Sequence, residues 1–395
     1  MKYTVIYIIF LLLCTTLNAQ DTERVVAIGK RYSIDSRVLK EKRNYSVYLP
    51  PSYESNMDKK YFVAYVLDGE KSKFLQVAGI AQSMNSTSEL TMQIPELIIV
   101  AIENTDRTRD FTPTHSLNYL DAENINAFNS SGKANEFMGF LEKELMPEID
   151  KSYRTLSKNL IIGHSLGGLF AIHCLLESPN LFNYYILIDP SWFWDHNYIG
   201  KRTKEVLKTK NLEGRVYIAL ANNFKEDSRH YKWGNEFYEM LNNKKSPRLD
   251  AKIQYFEDEK HLTVPIPATY YGLRYIFDGF DMDINEIFKS PSLVDKHDKE
   301  MSEKLGVELR LDENFVNTLG YIALHDRNIP DAAVTLFEFN TKNYPLSPNV
   351  WDSLADAYMA KGMRDKAKAC YEKILSLQPG NKDARSKLEK IKNQK

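Results

Sequence analysis

Cysteine is nearly absent from this 395-residue chain, occurring only at Cys14, Cys174 and Cys370. Cys174 and Cys370 fall in segments read below as separate domains and in apolar helical contexts, where an unpaired cysteine acts as a small hydrophobe, so no disulfide framework is expected. Clusters of Cys and His at metal-ligand spacing are missing, as is HExxH, and no metal or other cofactor is expected. Charge of one sign is lacking too: 52 Lys and Arg stand against 53 Asp and Glu, a formal net charge of -1. That balance excludes a global pull toward nucleic acid or an anionic membrane. The N-terminal apolar stretch, Val5 to Leu13, is too short for an ordinary spanning helix.

What is present begins with "MKYTVIYIIFLLLCTTLNAQ": an early Lys, a short apolar core and small or polar residues ending in Leu17-Asn18-Ala19. That pattern reads as a secretory signal cleaved after Ala19, which predicts an exported periplasmic or extracellular protein. Cys14 as a lipidation site is the rival reading, and Leu13 stands where such sites place a small residue.

From residue 20 to about 280, short apolar runs alternate with helical patterns. "YFVAYVLDG" (61–69), "ELIIVAIEN" (96–104), "NLIIGHS" (159–165), "YYILIDPS" (184–191), "RVYIALANN" (215–223) and "AKIQYFEDE" (251–259) each read as a strand ending in a polar loop. Apolar strands alternating with helices imply a mostly parallel sheet covered on both faces, a doubly wound α/β domain. The earlier "ERVVAIGKRYSIDSRVLKEKRNYSVYLPPSY" alternates polar and apolar, as antiparallel edge strands do. Beyond residue 281 the strand signals stop. Trp351, Leu354, Ala355, Tyr358, Gly362, Ala367, Tyr371 and Pro379 sit at the offsets of a tetratricopeptide repeat, and a shift of about 34 residues maps Ala367, Tyr371 and Pro379 onto Ala333, Phe337 and Pro345. Residues 313–395 therefore read as two repeats and a closing helix, joined by a charged connector, 281–312. Two repeats fall short of a free-standing array, so the tail is expected to pack on the α/β domain, on a protein partner or on a second copy.

G-x-S-x-G around Ser165 would arise from composition in roughly one chain in ten of this length. Its setting is more specific: "LII" is a strand, Gly163 and Gly167 remove side chains at a sharp bend, and "LFAIHCLLES" continues as a helix. That is the context of a nucleophile elbow. In that fold the acid and then the histidine follow the serine, the histidine after the final strand. Of the eight histidines, His115 precedes Ser165, His164 and His173 lie in the elbow and its helix and point elsewhere, and His297 and His325 lie too far on. His196 follows an earlier strand and His230 sits where the acid belongs, which leaves His261 as the base. The loop after "RVYIALANN" offers Glu226 and Asp227, with Glu236 further on; Asp227 is the chosen acid, a Ser-His dyad or recruitment of Asp258 the alternatives. Oxyanion donors are expected from the backbone N–H of Leu166 and of Glu70, with Gly69 permitting close approach of the backbone to substrate.

These residues, with "YVLDGE", "IIVAIENTDRTRDFTP", "ANEFMGFLEKELMPEID", "LIIGHSLGGLFAIH", "IDPSWFWD" and "HLTVPIPATYYGLRYIF", make residues 35 to 280 resemble the esterase family of α/β-hydrolases that includes enterochelin (siderophore) esterases, esterase D and the feruloyl and acetylxylan esterases. The resemblance implies a serine esterase acting on an aryl or acyl carbohydrate ester or on a siderophore ester, with Ser165 and His261 in the family's roles. Where many members carry His-Gly-Ser, this chain has His261-Leu262-Thr263, a departure that bears on the pocket. By the same resemblance Arg107 and Arg109 would hold an anionic or catecholate substrate, or else brace their loop against Asp106 or Asp110. Trp192, Phe193 and Trp194 would wall an acyl or aryl pocket or fill the core. The competing class is an interaction protein whose repeats bind a partner on an idle hydrolase scaffold.

Overall fold

A computed structural model describes residues 27–86, 90–222, 228–243 and 248–393. The described strands are β1 (Lys30–Ser36), β2 (Glu41–Tyr48), β3 (Tyr61–Val66), β4 (Asn85–Ser86), β5 (Thr91–Met92), β6 (Leu97–Ile102), β7 (Thr155–His164), β8 (Tyr184–Ile188), β9 (Gly214–Ala221) and β10 (Leu249–Phe256). Eight of them form one sheet in the order β1-β2-β6-β3-β7-β8-β9-β10, while β4 and β5 make a small hairpin outside it. From β6 to β10 every neighbour is parallel, and β1 and β2 join antiparallel at the edge. The reason lies in the residues. β3, β6 and β8 are buried along their whole length, as continuous apolar runs require, whereas β1 and β10 alternate or lie exposed at the two edges.

Alternate strand residues feed two cores. Phe62, Ala64, Val66, Ile99 and Ile162 face α1 (Lys71–Met84) and α8 (Pro265–Ile276). Tyr61, Val63, Tyr65, Ile98 and Ile161 belong to the opposite core. The helices between are α2 (Arg107–Phe111), α3 (Ala134–Phe140), α4 (Met146–Ser152), α5 (Leu166–Glu177), α6 (Trp194–Thr209) and α7 (Ser228–Asn243). A wide π turn, Leu141–Leu145, joins α3 to α4, so "ANEFMGFLEKELMPEID" is close to one continuous helix.

The tail is α-helical: α9 (Ile284–Lys289), α10 (Leu293–Leu305), α11 (Glu313–Tyr321), α12 (Pro330–Asn343), α13 (Pro348–Ala360), α14 (Arg364–Leu377) and α15 (Lys382–Asn393). Its core is continuous with the first of the two sheet cores. One buried cluster runs from Phe62 and Tyr184 through Ile287, Val294, Met301, Leu305 and Leu311 to Phe315, Leu336, Phe337, Leu354 and Tyr371. The tail thus packs on the α/β domain, and the segment read as a charged connector does the joining. Val294, Met301 and Leu305 line one side of α10 at helical spacing, hidden in sequence by the charges on the other side. Cys174 and Cys370 are buried and unpaired. Among the described residues no helix is long and apolar enough to cross a membrane.

Candidate active site

β7 ends at His164 and α5 begins at Leu166, which puts Ser165 alone in the bend at φ 59°. That left-handed conformation strains a serine and is held by its surroundings. Ser165 N–H donates to Ile188 O at 2.9 Å, and Ser191 N–H donates back to Ser165 O at 3.1 Å. A Cβ on Gly163 would lie 2.3 Å from the carbonyl oxygen of Gly167, so no larger residue fits where the elbow folds back on itself. The hydroxyl of Ser165 lies 3.1 Å from that of buried Ser191.

His261 stands beyond β10, as expected, and its Nδ1 donates at 2.6 Å to Oδ2 of Asp189. Asp227, expected as the acid, lies outside the described residues with Glu226. Asp258 is exposed on the turn after β10 and Glu236 is on α7; neither hydrogen-bonds the imidazole. Asp189 is fully buried, and its Oδ1 accepts from His230 Nε2 at 2.7 Å and from Ala221 N–H at 2.9 Å. Burial opposes its ionisation, but the hydrogen bonds from His230 and His261 outweigh burial and hold the carboxyl well below the usual range. An ionised carboxylate only accepts, so Nδ1 of His261 carries the proton and Nε2 is left as the basic nitrogen.

The strand-order rule looked for an acid after β9, and Asp189 follows β8. Its backbone turns at φ 42°, with Asp189 N–H on Ala219 O, so the carboxylate reaches across to the end of β9. It thereby occupies the place that the rule assigns to a residue one strand later. The available signal was the aspartate directly after the neighbouring strand in "IDPSWFWD".

Two histidines set aside in the sequence belong here. His164 does not point elsewhere: its Nε2 donates to His261 O at 2.8 Å, and the two rings lie 4.5 Å apart. Burial, helped by the neighbouring His261, drops its pKa to about 4, so it is neutral at pH 7. His230 is the second imidazole on Asp189. His173, by contrast, is core, with Nε2 on Asn135 Oδ1 at 2.8 Å.

The N–H of Leu166 opens α5 and that of Glu70 precedes α1, and neither donates a hydrogen bond among the described residues. Gly69 is a position of close backbone approach. A Cβ there would lie 2.2 Å from Ile102 N, so its bare backbone packs on β6, where Gly69 N–H donates to Ile102 O at 2.7 Å. Arg109 does not reach the site: it bonds Glu41 and Asp110, the bracing alternative. Arg107 bonds Asp68 through Nε at 2.6 Å and Nη2 at 3.1 Å. Trp194 is corrected as a substrate contact: it is fully buried, with Nε1 donating to Thr114 Oγ1 at 3.2 Å, and Trp192 is fully buried as well. The ring of half-buried Phe193 packs at a tilt of 59°, 4.6 Å from that of Tyr119, which is exposed, as is Leu262 beside His261. Lys73, in the first turn of α1, has its pKa lowered by burial and feels the charge of Asp68.

The model of the family described as "Putative esterase" matches residues 36–255, and that of the tetratricopeptide repeat matches 348–381. Ferri-bacillibactin esterase BesA of Bacillus subtilis is 30% identical over 249 residues, which is 60% of this chain and 85% of the relative. The crystal structure of an IroE-like serine hydrolase from Shewanella oneidensis superposes with a TM-score of 0.70 at 29% identity, covering 80% of this chain and 99% of that one. An uncharacterised protein from Capnocytophaga ochracea shares the fold over 92% of this chain and 99% of its own, with a TM-score of 0.60 and 17% identity.

Proposed function

The chain belongs to the esterase family whose model it matches over residues 36–255, and from that premise we propose that it is an exported serine esterase that cleaves an ester of the siderophore class. As a member of that family it is a carboxylic ester hydrolase. The observation that carries the mechanism is the 2.6 Å bond from His261 Nδ1 to buried Asp189, beside a serine held in a strained elbow.

Ser165 Oγ attacks the ester carbonyl while His261 Nε2 takes its proton, and Asp189 stabilises the imidazolium that forms. The carbonyl oxygen, now carrying the negative charge, is met by the N–H groups of Leu166 and Glu70. Collapse of the tetrahedral intermediate breaks the ester C–O bond, and His261 returns the proton to the leaving alcohol. Water then attacks the acyl-serine by the same route and releases the acid. The siderophore class is supported by the relative named a ferri-bacillibactin esterase. Exposed Tyr119 and half-buried Phe193, packed together at a tilt, offer an aryl-sized surface, and export is supported by the leader-like residues 1–19.

The repeats are proposed to leave their outer face to a protein partner or second copy. A pure interaction protein would not need Asp189 ionised and aimed at His261. Labelling with a fluorophosphonate, followed by initial rates on catecholate-lactone, feruloyl and acetyl esters, tests the proposal. Covalent label on the wild type, its loss in Ser165→Ala and the highest kcat/KM on the catecholate lactone are expected. An unlabelled wild type would sink the mechanism, and a preference for acetyl or feruloyl esters would sink the substrate class.

A further inference from the structure

The carboxylate of Asp189 serves two imidazoles. Oδ2 faces His261, while Oδ1 accepts from Ala221 N–H at the end of β9 and from His230 Nε2 in the first turn of α7. The sequence of α7 explains why His230 arrives there. His230, Gly234 and Phe237 recur at helical spacing along one face. A Cβ on Gly234 would lie 2.9 Å from Leu220 Cδ2 and 3.3 Å from Trp192 Nε1, so its bare backbone lets the helix sit down on β9. Phe237 is fully buried, with its ring 5.3 Å from that of Trp192 in the segment that carries Asp189. The face that anchors α7 is thus the face that presents His230, whose side chain is 16% exposed. Among the described residues His230 makes no hydrogen bond to Ser165 or His261, so its effect on the reaction runs through Asp189.

We propose that His230 is a positioning residue that fixes the plane of the Asp189 carboxylate and so aims Oδ2 at His261 Nδ1. This rests on the reading of Ser165, His261 and Asp189 as the catalytic triad. Asp189 leaves β8 at φ 42° and reaches across to β9, and the terminal torsion of an aspartate is broad, so its backbone does not set the orientation of its oxygens. Donors on Oδ1 from two separate elements, β9 and α7, do set it. An ionised carboxylate only accepts, so Nε2 of His230 carries a proton. Burial pushes the carboxyl toward its neutral form, and the bond from His230 is the largest of those that outweigh it. The region after β9, where the strand-order rule looks for an acid, instead supplies the residue that holds the acid.

His230→Leu, which fills the space and donates nothing, is expected to lower kcat and kcat/KM together by about 10- to 10²-fold, the cost of a misplacement on the order of 1 Å with the charge still in place. KM should stay within about threefold, because ground-state binding is not what His230 supplies. His230→Gln, whose amide NH₂ extends about as far from Cβ as Nε2 does, should recover most of that loss. Should His230→Leu fail to fold, His230→Asn, with an amide one bond too short, carries the test and should lose as much. The downfield proton resonance of His261 Nδ1–H, assigned by its absence in His261→Gln, reads the short bond directly. It should be present in wild type and in His230→Gln and move upfield in His230→Leu. In an Asp189→Ala background, where no carboxylate is left to aim, His230→Leu should cost less than about twofold more. Full kcat and an unmoved resonance in His230→Leu would overturn the assignment. So would losses that multiply in the double variant, which would place His230 on substrate or on a transferred proton. Those results leave a labelled Ser165 and the esterase reading intact. An unlabelled wild type would overturn that reading and the role of His230 with it.

Discussion

Asp189→Asn is the sharpest perturbation of the site, because it changes one oxygen to an amide nitrogen and little else. The buried carboxylate receives His261 Nδ1 at 2.6 Å on one oxygen, and His230 Nε2 and Ala221 N–H on the other. An amide keeps a single acceptor oxygen. If that oxygen stays with His230 and Ala221, its NH₂ faces Nδ1, which must then be an acceptor, and the proton of His261 moves to Nε2, where it can no longer accept from Ser165. Even without the tautomer change, the imidazolium formed in the transition state loses its counter-charge. Two unit charges about 4 Å apart at an effective dielectric near 20 attract by about 4 kcal/mol, or roughly 10³ in rate. The tautomer penalty brings the expected loss of kcat/KM to about 10³- to 10⁴-fold. Steady-state hydrolysis of a p-nitrophenyl ester, with the rate of fluorophosphonate labelling measured in parallel, reads both effects. Asp227→Asn serves as the partner variant and should stay within about threefold of wild type, as a carboxylate outside the triad would. If Asp189→Asn remains within about fivefold while Asp227→Asn collapses, the aspartate after β8 is not the acid.

His164 and His173 both have their pKa lowered by burial to about 4, so between about pH 6.5 and 4 the unfolded chain takes up protons that the folded chain refuses. Their contribution to stability is complete above pH 6.5 and is lost as pH falls toward 4; thermal melts at pH 7.5, 6 and 5 should show Tm falling, less so in His173→Gln, and a flat wild-type profile would contradict the assignment. Gly163→Ala should abolish labelling of Ser165, since its Cβ would lie 2.3 Å from a backbone oxygen that cannot move without opening the elbow; full labelling of a folded Gly163→Ala would refute that. Lys73→Met should raise KM for an anionic aryl ester more than for a neutral one, and equal KM changes would remove Lys73 from the substrate's path. Gly320→Ala places a Cβ 2.3 Å from the Phe337 ring, an overpacking worth about 1–3 kcal/mol, and should lower Tm in a single transition.

Much of this was legible beforehand, for identifiable reasons. The strands at the centre of the sheet are buried on both faces, so their residues had to be apolar throughout, and they stood out. The elbow carried its own context, and the spacing from Trp351 to Pro379 carried the repeat. The illegible parts depend on where a side chain goes after its backbone has been placed. Asp189 leaves β8 in a left-handed turn and delivers its carboxylate to the end of β9, a displacement that no spacing records. Arg107 reads as an available cation in "NTDRTRDFTP" and is in fact engaged on Asp68 and His164 O. The segment 281–312 read as a charged connector because it lacks long apolar runs, yet Val294, Met301 and Leu305 fall on one side of α10 and are buried.

The continuous core between sheet and tail determines how damage spreads in this molecule. Phe62 on the sheet and Tyr371 in the last repeat belong to one buried cluster, so the repeats cannot come loose without uncovering the floor beneath the catalytic strands. A destabilisation of about 1–2 kcal/mol is enough to change the amount of a protein in the cell several-fold. Inherited changes deep in the repeats, far from any ester, will therefore be read by the organism as missing enzyme, while each surviving molecule turns over at its normal rate.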